Sequence, residues 1–242
     1  MGTSNSNGAL RTSSRQCLQD RYDEMWLGAI PQIRTGNVET DSVLAGGLPD
    51  RRRGLTLIAR PPPRVRQHVA GFVRGLRGLE PEQLYYTASQ LHLTVLSLFT
   101  ATVEPETFLA RTKDYVAAVD AVLSKAAPFH VELSGITASP GAVMIQGFLE
   151  NEALSEMRDA LRAQLRAAGL GGHVDGRYRL VTAHLTVARF RAPLRDGGKF
   201  AAALAEARHL PFGHSKITSI SLVKNDWYMT PRTLKMIKCY RL

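Results

Sequence analysis

The chain has 242 residues, 44% hydrophobic and 21% charged, a balance that suits a folded core and excludes disordered, collagen-like and coiled-coil classes. It contains no apolar run of membrane-spanning length, and its two cysteines, Cys17 and Cys239, exclude a disulfide framework and suit a reducing cytoplasm. Thirty-one basic residues against 21 acidic ones leave a net charge of +10, which favours phosphate-bearing partners without naming one.

Residues 1–14 are mostly small and polar and lack the apolar run of a signal peptide, so they are expected to form a flexible tail. Residues 15–50 read as an extension that packs on the main domain. Within it, Leu18, Tyr22, Met25 and Trp26 put a short helix over 15–27. Gly36, Gly46, Gly47 and Pro49 then break the chain into loops.

The main domain is expected over 51–242. Residues 54–59 form an apolar run that stops at Pro61-Pro62-Pro63 and predict a strand. Val65, Val69, Phe72, Val73 and Leu76 predict a helix over 64–79. A strand follows over 91–99. Phe108, Leu109, Val116, Val119 and Leu123 predict a second helix. Strands over 129–133 and 142–149 come next. A third helix carries Leu154, Met157, Leu161 and Leu165 and ends at Gly169. A strand over 180–190, a short helix with Phe200, Leu204 and Ala207, and closing strands over 217–223 and 234–240 complete the chain.

Each half therefore runs strand, helix, then a strand with histidine. This order predicts an α+β fold of two lobes related by an approximate twofold, with mostly antiparallel sheet, helices outside and a cleft between the lobes. Order alone is weak evidence, because any two α/β segments share it. Local identity is stronger. His92-Leu93-Thr94-Val95 in the first half recurs as His184-Leu185-Thr186-Val187 in the second. Chance places His-x-Thr-apolar roughly 0.2 times in this composition, so a matched pair carries information.

Side chains alternate across a strand. His92 and Thr94 thus share one face, as do His184 and Thr186, while Leu93, Val95, Leu185 and Val187 face the core. A twofold would bring two imidazoles and two hydroxyls to one cleft. One neutral ring can take a proton from water or a ribose hydroxyl, and one protonated ring can give a proton to the leaving oxygen. The hydroxyls can donate to non-bridging phosphate oxygens. This set lacks the carboxylates that Mg²⁺ prefers, so no metal is expected.

These paired motifs and the repeat order resemble the 2H phosphoesterase superfamily, which includes the bacterial RNA 2′,3′-cyclic phosphodiesterases, also called 2′-5′ RNA ligases. The resemblance spans roughly 51–242. It implies a bilobal α+β fold and metal-independent, cofactor-free action on 2′,3′-cyclic or 2′-5′ nucleotide linkages. It places the motif histidines on His92 and His184 and the phosphate-binding threonines on Thr94 and Thr186. A nucleotide or RNA phosphodiester is the implied partner, with a cytoplasmic monomer and no membrane or obligatory protein partner. The competing class is a module that keeps the same cradle to hold an AMP-like nucleotide or RNA without turnover.

Other residues carry weaker signals. Tyr85, Tyr86, Tyr178, Trp227 and Tyr228 offer rings to a base, although aromatics at strand ends more often pack. Tyr86 and Tyr228 are the preferred pair. Arg189 is a further substrate-binding candidate: strict alternation aims it away from the cleft, and a bulge or twist returns it. Arg60, Arg177 and Arg179 are further phosphate candidates. His68, His130, His173, His209 and His214 lack a following threonine and read as surface or packing residues.

Overall fold

Two four-strand units join into one sheet, one taking its strands from both ends of the chain and the other from the stretch between. The computed structural model describes residues 6–47, 49–176 and 178–242. The strands are β1 (Arg53–Ala59), β2 (Leu84–Tyr85), β3 (Leu93–Thr102), β4 (Phe129–Ser139), β5 (Ala142–Leu149), β6 (Leu185–Arg189), β7 (Pro211–Ile217), β8 (Ser219–Asn225) and β9 (Lys235–Arg241). Their order across the sheet is β7-β4-β5-β6-β3-β1-β8-β9, with β2 added on β6. Pairings among the described residues are antiparallel.

That order is a palindrome about the β6–β3 junction. β3 corresponds to β6, β1 to β5, β8 to β4 and β9 to β7. β3 and β6 meet at Leu93 opposite Leu185, the residues that directly follow the two histidines, and β2 adds pairs from Leu84 and Tyr85 to Arg189 and Ala188 of β6. The expected α+β architecture with approximate twofold order is present, but the lobes share a continuous sheet.

The helices are α1 (Ser6–Arg34), α2 (Ser42–Ala45), α3 (Pro63–Leu79), α4 (Glu106–Ala110), α5 (Thr112–Leu123), α6 (Ala153–Ala167) and α7 (Gly197–Glu206). They also tie the halves together. α3 of the first half packs on β7 of the second, and α6 of the second half packs on β3 and α5 of the first. Pro63 opens α3, where a missing N–H costs nothing. Gly169 follows the end of α6 at φ +66°, a left-handed conformation that glycine adopts without a Cβ clash. One large core, including Leu57, Val95, Phe99, Val119, Ile145, Leu161 and Leu222, runs through both halves. Each such side chain contributes roughly 1.5–3 kcal/mol by leaving water.

Several elements differ from the sequence expectation. The helix expected over 15–27 extends from Ser6 to Arg34. Its buried stripe is Tyr22, Ala29 and Ile33, so it continues past the apolar positions that signalled it. Of the tail expected over 1–14, residues 1–5 lie outside the described residues, and the backbone from Ser6 is already helical. The second helix breaks at Arg111 into α4 and α5. The strand expected over 129–133 continues to Ser139 and turns directly into β5. The strand expected over 217–223 divides at Thr218 because the chain changes partners there: β7 pairs with β4, and β8 pairs with β1. The strands expected over 91–99 and 180–190 begin at Leu93 and Leu185. Both histidines therefore stand at strand entrances, still in step with the alternation that follows.

Candidate active site

The first motif descends from a tight loop into β3. Gln90 N–H bonds the Thr87 carbonyl at 2.9 Å, and Thr87 N–H bonds Gln90 Oε1 at 3.1 Å. Gln90 Nε2 donates to the Tyr228 carbonyl at 3.3 Å, fastening this loop to the strand end after β8. Arg60 donates to the Ser89 carbonyl of the same loop. The held Gln90 carbonyl then accepts from His92 Nδ1 at 2.7 Å. A carbonyl only accepts, so Nδ1 carries the proton and Nε2 carries the lone pair in the neutral ring. Leu93 and Val95 are buried in the core, while Thr94 stays half-buried on the histidine's side.

The second motif enters β6 differently. His184 Nδ1 lies 2.8 Å from Thr182 Oγ1, a hydroxyl able to donate or accept. The residue between them, Ala183, donates its N–H to the buried hydroxyl of Tyr22 on α1 at 3.2 Å. The same hydroxyl donates to the Gly147 carbonyl at 3.1 Å. Gly147 is required here, because a Cβ on it would stand 1.7 Å from the Ala183 carbonyl oxygen.

One cleft is lined by His92, Thr94, His184 and Thr186 together. The topology thus brings together residues that lie 92 positions apart in the chain (184 − 92). Both rings are pushed down to about 4. Burial is the largest cause for each. Arg60 and Arg189 add to it at His92, against the Gln90 hydrogen bond; Arg158, His92 and Arg189 add to it at His184. Both imidazoles are therefore neutral near pH 7 in the free protein.

Arg189 also lines the cleft. β5–β6 pairing shifts register between Val143 opposite Ala188 and Met144 opposite Thr186, leaving Val187 as an extra residue. The bulge resets the alternation and returns Arg189 to the side of His184 and Thr186. Its Nε donates to Tyr86 Oη at 3.1 Å, and its guanidinium lies 5.4 Å from the Trp227 ring centre. Burial opposes its charge, but Tyr86, Asp41 and Tyr228 together outweigh it and Arg189 stays charged.

The aromatic candidates separate into two groups. Tyr86, Tyr178 and Trp227 line the cleft, and Tyr178 is exposed. Tyr228, one of the preferred pair, does not line it. It is 5% exposed, its hydroxyl donates to Asp41 Oδ1 at 2.6 Å and accepts from Arg52 at 2.8 Å. It therefore acts as a strut between the extension and β8, because satisfying a buried hydroxyl takes precedence over stacking. Tyr85 is likewise buried, bonded to the Leu76 and Glu80 carbonyls. Arg60 braces the loop instead of lining the cleft, Arg179 pairs with Asp159 at 2.7 Å, and Arg177 lies outside the described residues.

A residue without a sequence signal holds both motifs. Arg158 on α6 is 1% exposed. It donates to the Thr94 and Val95 carbonyls at 2.8 and 2.7 Å and to the Val181 and Thr182 carbonyls at 3.1 and 2.9 Å. One guanidinium thus binds the backbone of β3 and of the segment that leads into β6. Burial is the main cause that lowers it to about 10, with Arg162 nearby adding to the effect, so it remains a cation at neutral pH. Arg162, four residues on, is buried against Asp175 at 2.6 Å. Their i,i+4 spacing beside the apolar stripe was the available clue, but such a pair ordinarily reads as a solvated flank. Among the described residues no group of three or more His, Cys, Asp or Glu is placed to hold a metal ion. No described helix is long and apolar enough to cross a membrane.

A shared antiparallel sheet with two His-x-Thr strand entrances facing one cleft has the architecture of a two-histidine phosphoesterase. The family model of the 2′-5′ RNA ligase superfamily matches residues 61–227. The chain belongs to that superfamily, the 2H phosphoesterases. Among solved structures, a Thermus thermophilus protein is 22% identical, with 78% of this chain and 97% of that one covered and a TM-score of 0.57. E. coli LigT complexed with 3′-AMP is 16% identical over 79% of this chain and 98% of its own, with a TM-score of 0.53. A conserved protein of Agrobacterium tumefaciens strain C58 is 14% identical over 81% and 93%, with a TM-score of 0.51. These likenesses are of fold. No curated protein matches the chain.

Proposed function

We propose that this protein is a metal-independent phosphodiesterase acting on nucleotide or RNA phosphodiesters, with 2′,3′-cyclic phosphates and 2′-5′ linkages as its substrate class. The observation that carries this reading is the convergence of His92, Thr94, His184 and Thr186 on one cleft. Binding alone needs no second proton carrier. Acid–base cleavage of a diester needs two, on opposite sides of one phosphorus.

In hydrolysis of a cyclic phosphate, water attacks phosphorus and gives its proton to one neutral ring. The bond from phosphorus to one ribose oxygen breaks, and that oxygen takes a proton from the other, protonated ring. Thr94, Thr186 and Arg189 offer donors to the non-bridging oxygens, where negative charge accumulates. The bound diester is an anion, and an anion beside a buried imidazole favours the imidazolium. Substrate therefore supplies the condition that charges one of two rings held neutral in its absence.

The test offers 2′,3′-cyclic nucleotides and short RNA ending in a cyclic phosphate, with EDTA present, to wild type, His92→Ala and His184→Ala. Each variant is expected to lose at least ~10²-fold in kcat. Wild-type activity that EDTA abolishes contradicts the metal-free mechanism. A wild type that binds AMP and turns over nothing replaces the enzyme with the binding module.

A further inference from the structure

The cleft has a second compartment that extends away from His92 on the His184 side. It shares His184, Thr186, Arg189, Tyr178 and Trp227 with the first. Neither His92 nor Thr94 lines it. Its remaining walls come from α1 (Arg21, Met25), from the segment after α1 (Glu39, Asp41), from the β4–β5 hairpin, including Met144, and from the segment before β6, including Arg179. The walls from α1 and its following segment precede residue 61, where the superfamily match begins. The extension thus closes one side of a compartment whose other sides come from the matched segment.

The added wall is a fixed part of the framework. Glu39 N–H bonds the Pro140 carbonyl at 2.9 Å, and Asp41 N–H bonds the Phe190 carbonyl at 3.1 Å. Tyr228 Oη anchors the Asp41 carboxylate at 2.6 Å, and buried Tyr22 anchors α1 to Gly147 and Ala183. The walls are also chemically mixed and nearly balanced in charge. Arg21 pairs with Glu24 at 2.8 Å and Arg179 with Asp159 at 2.7 Å. The exposed Glu39 adds a carboxylate. Beyond Arg189, which serves the reacting phosphate, a second phosphate would meet that carboxylate and arginines already paired. A nucleoside fits better: its planar base can lie against the thioethers of Met25 and Met144, and its amino or hydroxyl groups can donate to Glu39.

We infer that this compartment seats the second nucleoside of a dinucleoside phosphate, so that the extension selects two-armed diesters over cyclic mononucleotides. The inference rests on the proposed phosphodiesterase activity. In the two-armed substrate, the free ribose hydroxyl next to the phosphate attacks phosphorus and yields its proton to a neutral imidazole. The bond from phosphorus to the second nucleoside's oxygen breaks, that oxygen takes a proton from the imidazolium, and a cyclic phosphate remains on the first nucleoside.

The experiment compares kcat/KM for 2′-5′-linked adenylyl-adenosine and for 2′,3′-cyclic AMP in wild type, Met25→Trp and Glu39→Ala, with thermal melts to show that each variant folds. Filling the compartment with Trp is expected to lower the ratio of the first kcat/KM to the second about tenfold, and Glu39→Ala to lower it several-fold. A loss shared equally by both substrates, or an unchanged ratio, overturns the inference. If wild type turns over neither compound, the proposed activity falls. Calorimetric titration of adenylyl-adenosine into wild type and Met25→Trp then decides the compartment alone: about tenfold weaker binding to the variant supports it, and equal binding overturns it.

Discussion

The two motif strands carry the same four residues but hold their histidines by different means. In the first half, His92 Nδ1 donates to a main-chain carbonyl inside a loop that closes on itself through Thr87 and Gln90. In the second, His184 Nδ1 meets a side-chain hydroxyl, Thr182, and the neighbouring backbone depends on Tyr22 from outside the family-matched segment. The first support is built into the loop backbone, while the second can be removed by substitution. Equal motifs thus sit in unequal frames: the second touches the extension directly through Tyr22, the first only by way of Tyr228 and Asp41. What the frames share is Arg158, whose guanidinium holds carbonyls from both.

That comparison breaks most severely at Arg158. Arg158→Met keeps the apolar stem but leaves four carbonyls without their donor, each costing ~1–3 kcal/mol if it stays dry. The melting temperature is expected to fall by about 10 °C, and turnover should fall with it because both strand entrances loosen. A melt within 2–3 °C of wild type would show that water replaces the guanidinium.

A smaller and one-sided effect is expected at Thr182. Thr182→Val keeps the shape and removes the hydroxyl from His184 Nδ1. We expect kcat to fall about tenfold with KM little changed, since a misoriented ring costs transition-state stabilisation more than binding. Thr182→Ser should restore most of the rate. Equal losses in Val and Ser would place the effect in packing and remove the distinction between the two frames.

The smallest effect is on acid stability, where the two frames should behave alike. Both histidines are depressed to about 4 from 6.5. Between those values the unfolded chain binds more protons than the folded one, so stability is full above about 6.5 and declines as pH falls toward 4. The contribution is on the order of 1 kcal/mol per ring by pH 5. Thermal melts of wild type and of the His92→Gln/His184→Gln variant between pH 7 and 5 should show a shallower slope in the variant. Identical slopes would mean that neither ring is held neutral by the fold.

The amphipathic spacings of α3, α5 and α6 were legible because periodicity is local: each helix records which face it buries in its own residues. The His-Leu-Thr-Val repeat was legible for the same reason, since alternation on a strand assigns faces without knowledge of partners. Arg189 marks the limit of that logic. Alternation aimed it away, and a bulge created by pairing with β5 turned it back. Tyr228 failed in the opposite direction, because its partners Asp41 and Arg52 lie 187 and 176 residues away.

From residue order alone, then, came the twofold repeat, the two histidine–threonine pairs and the chemistry those groups can perform. All of these follow from identities and short-range geometry that any extended strand imposes. The tertiary structure decided that the halves share one sheet through Leu93 and Leu185, that a buried arginine holds both strands, and that α1 walls a second compartment. Those are contacts between distant segments. They form because burying a cation or a carbonyl requires a partner, and nothing in a local pattern names which distant residue will supply it.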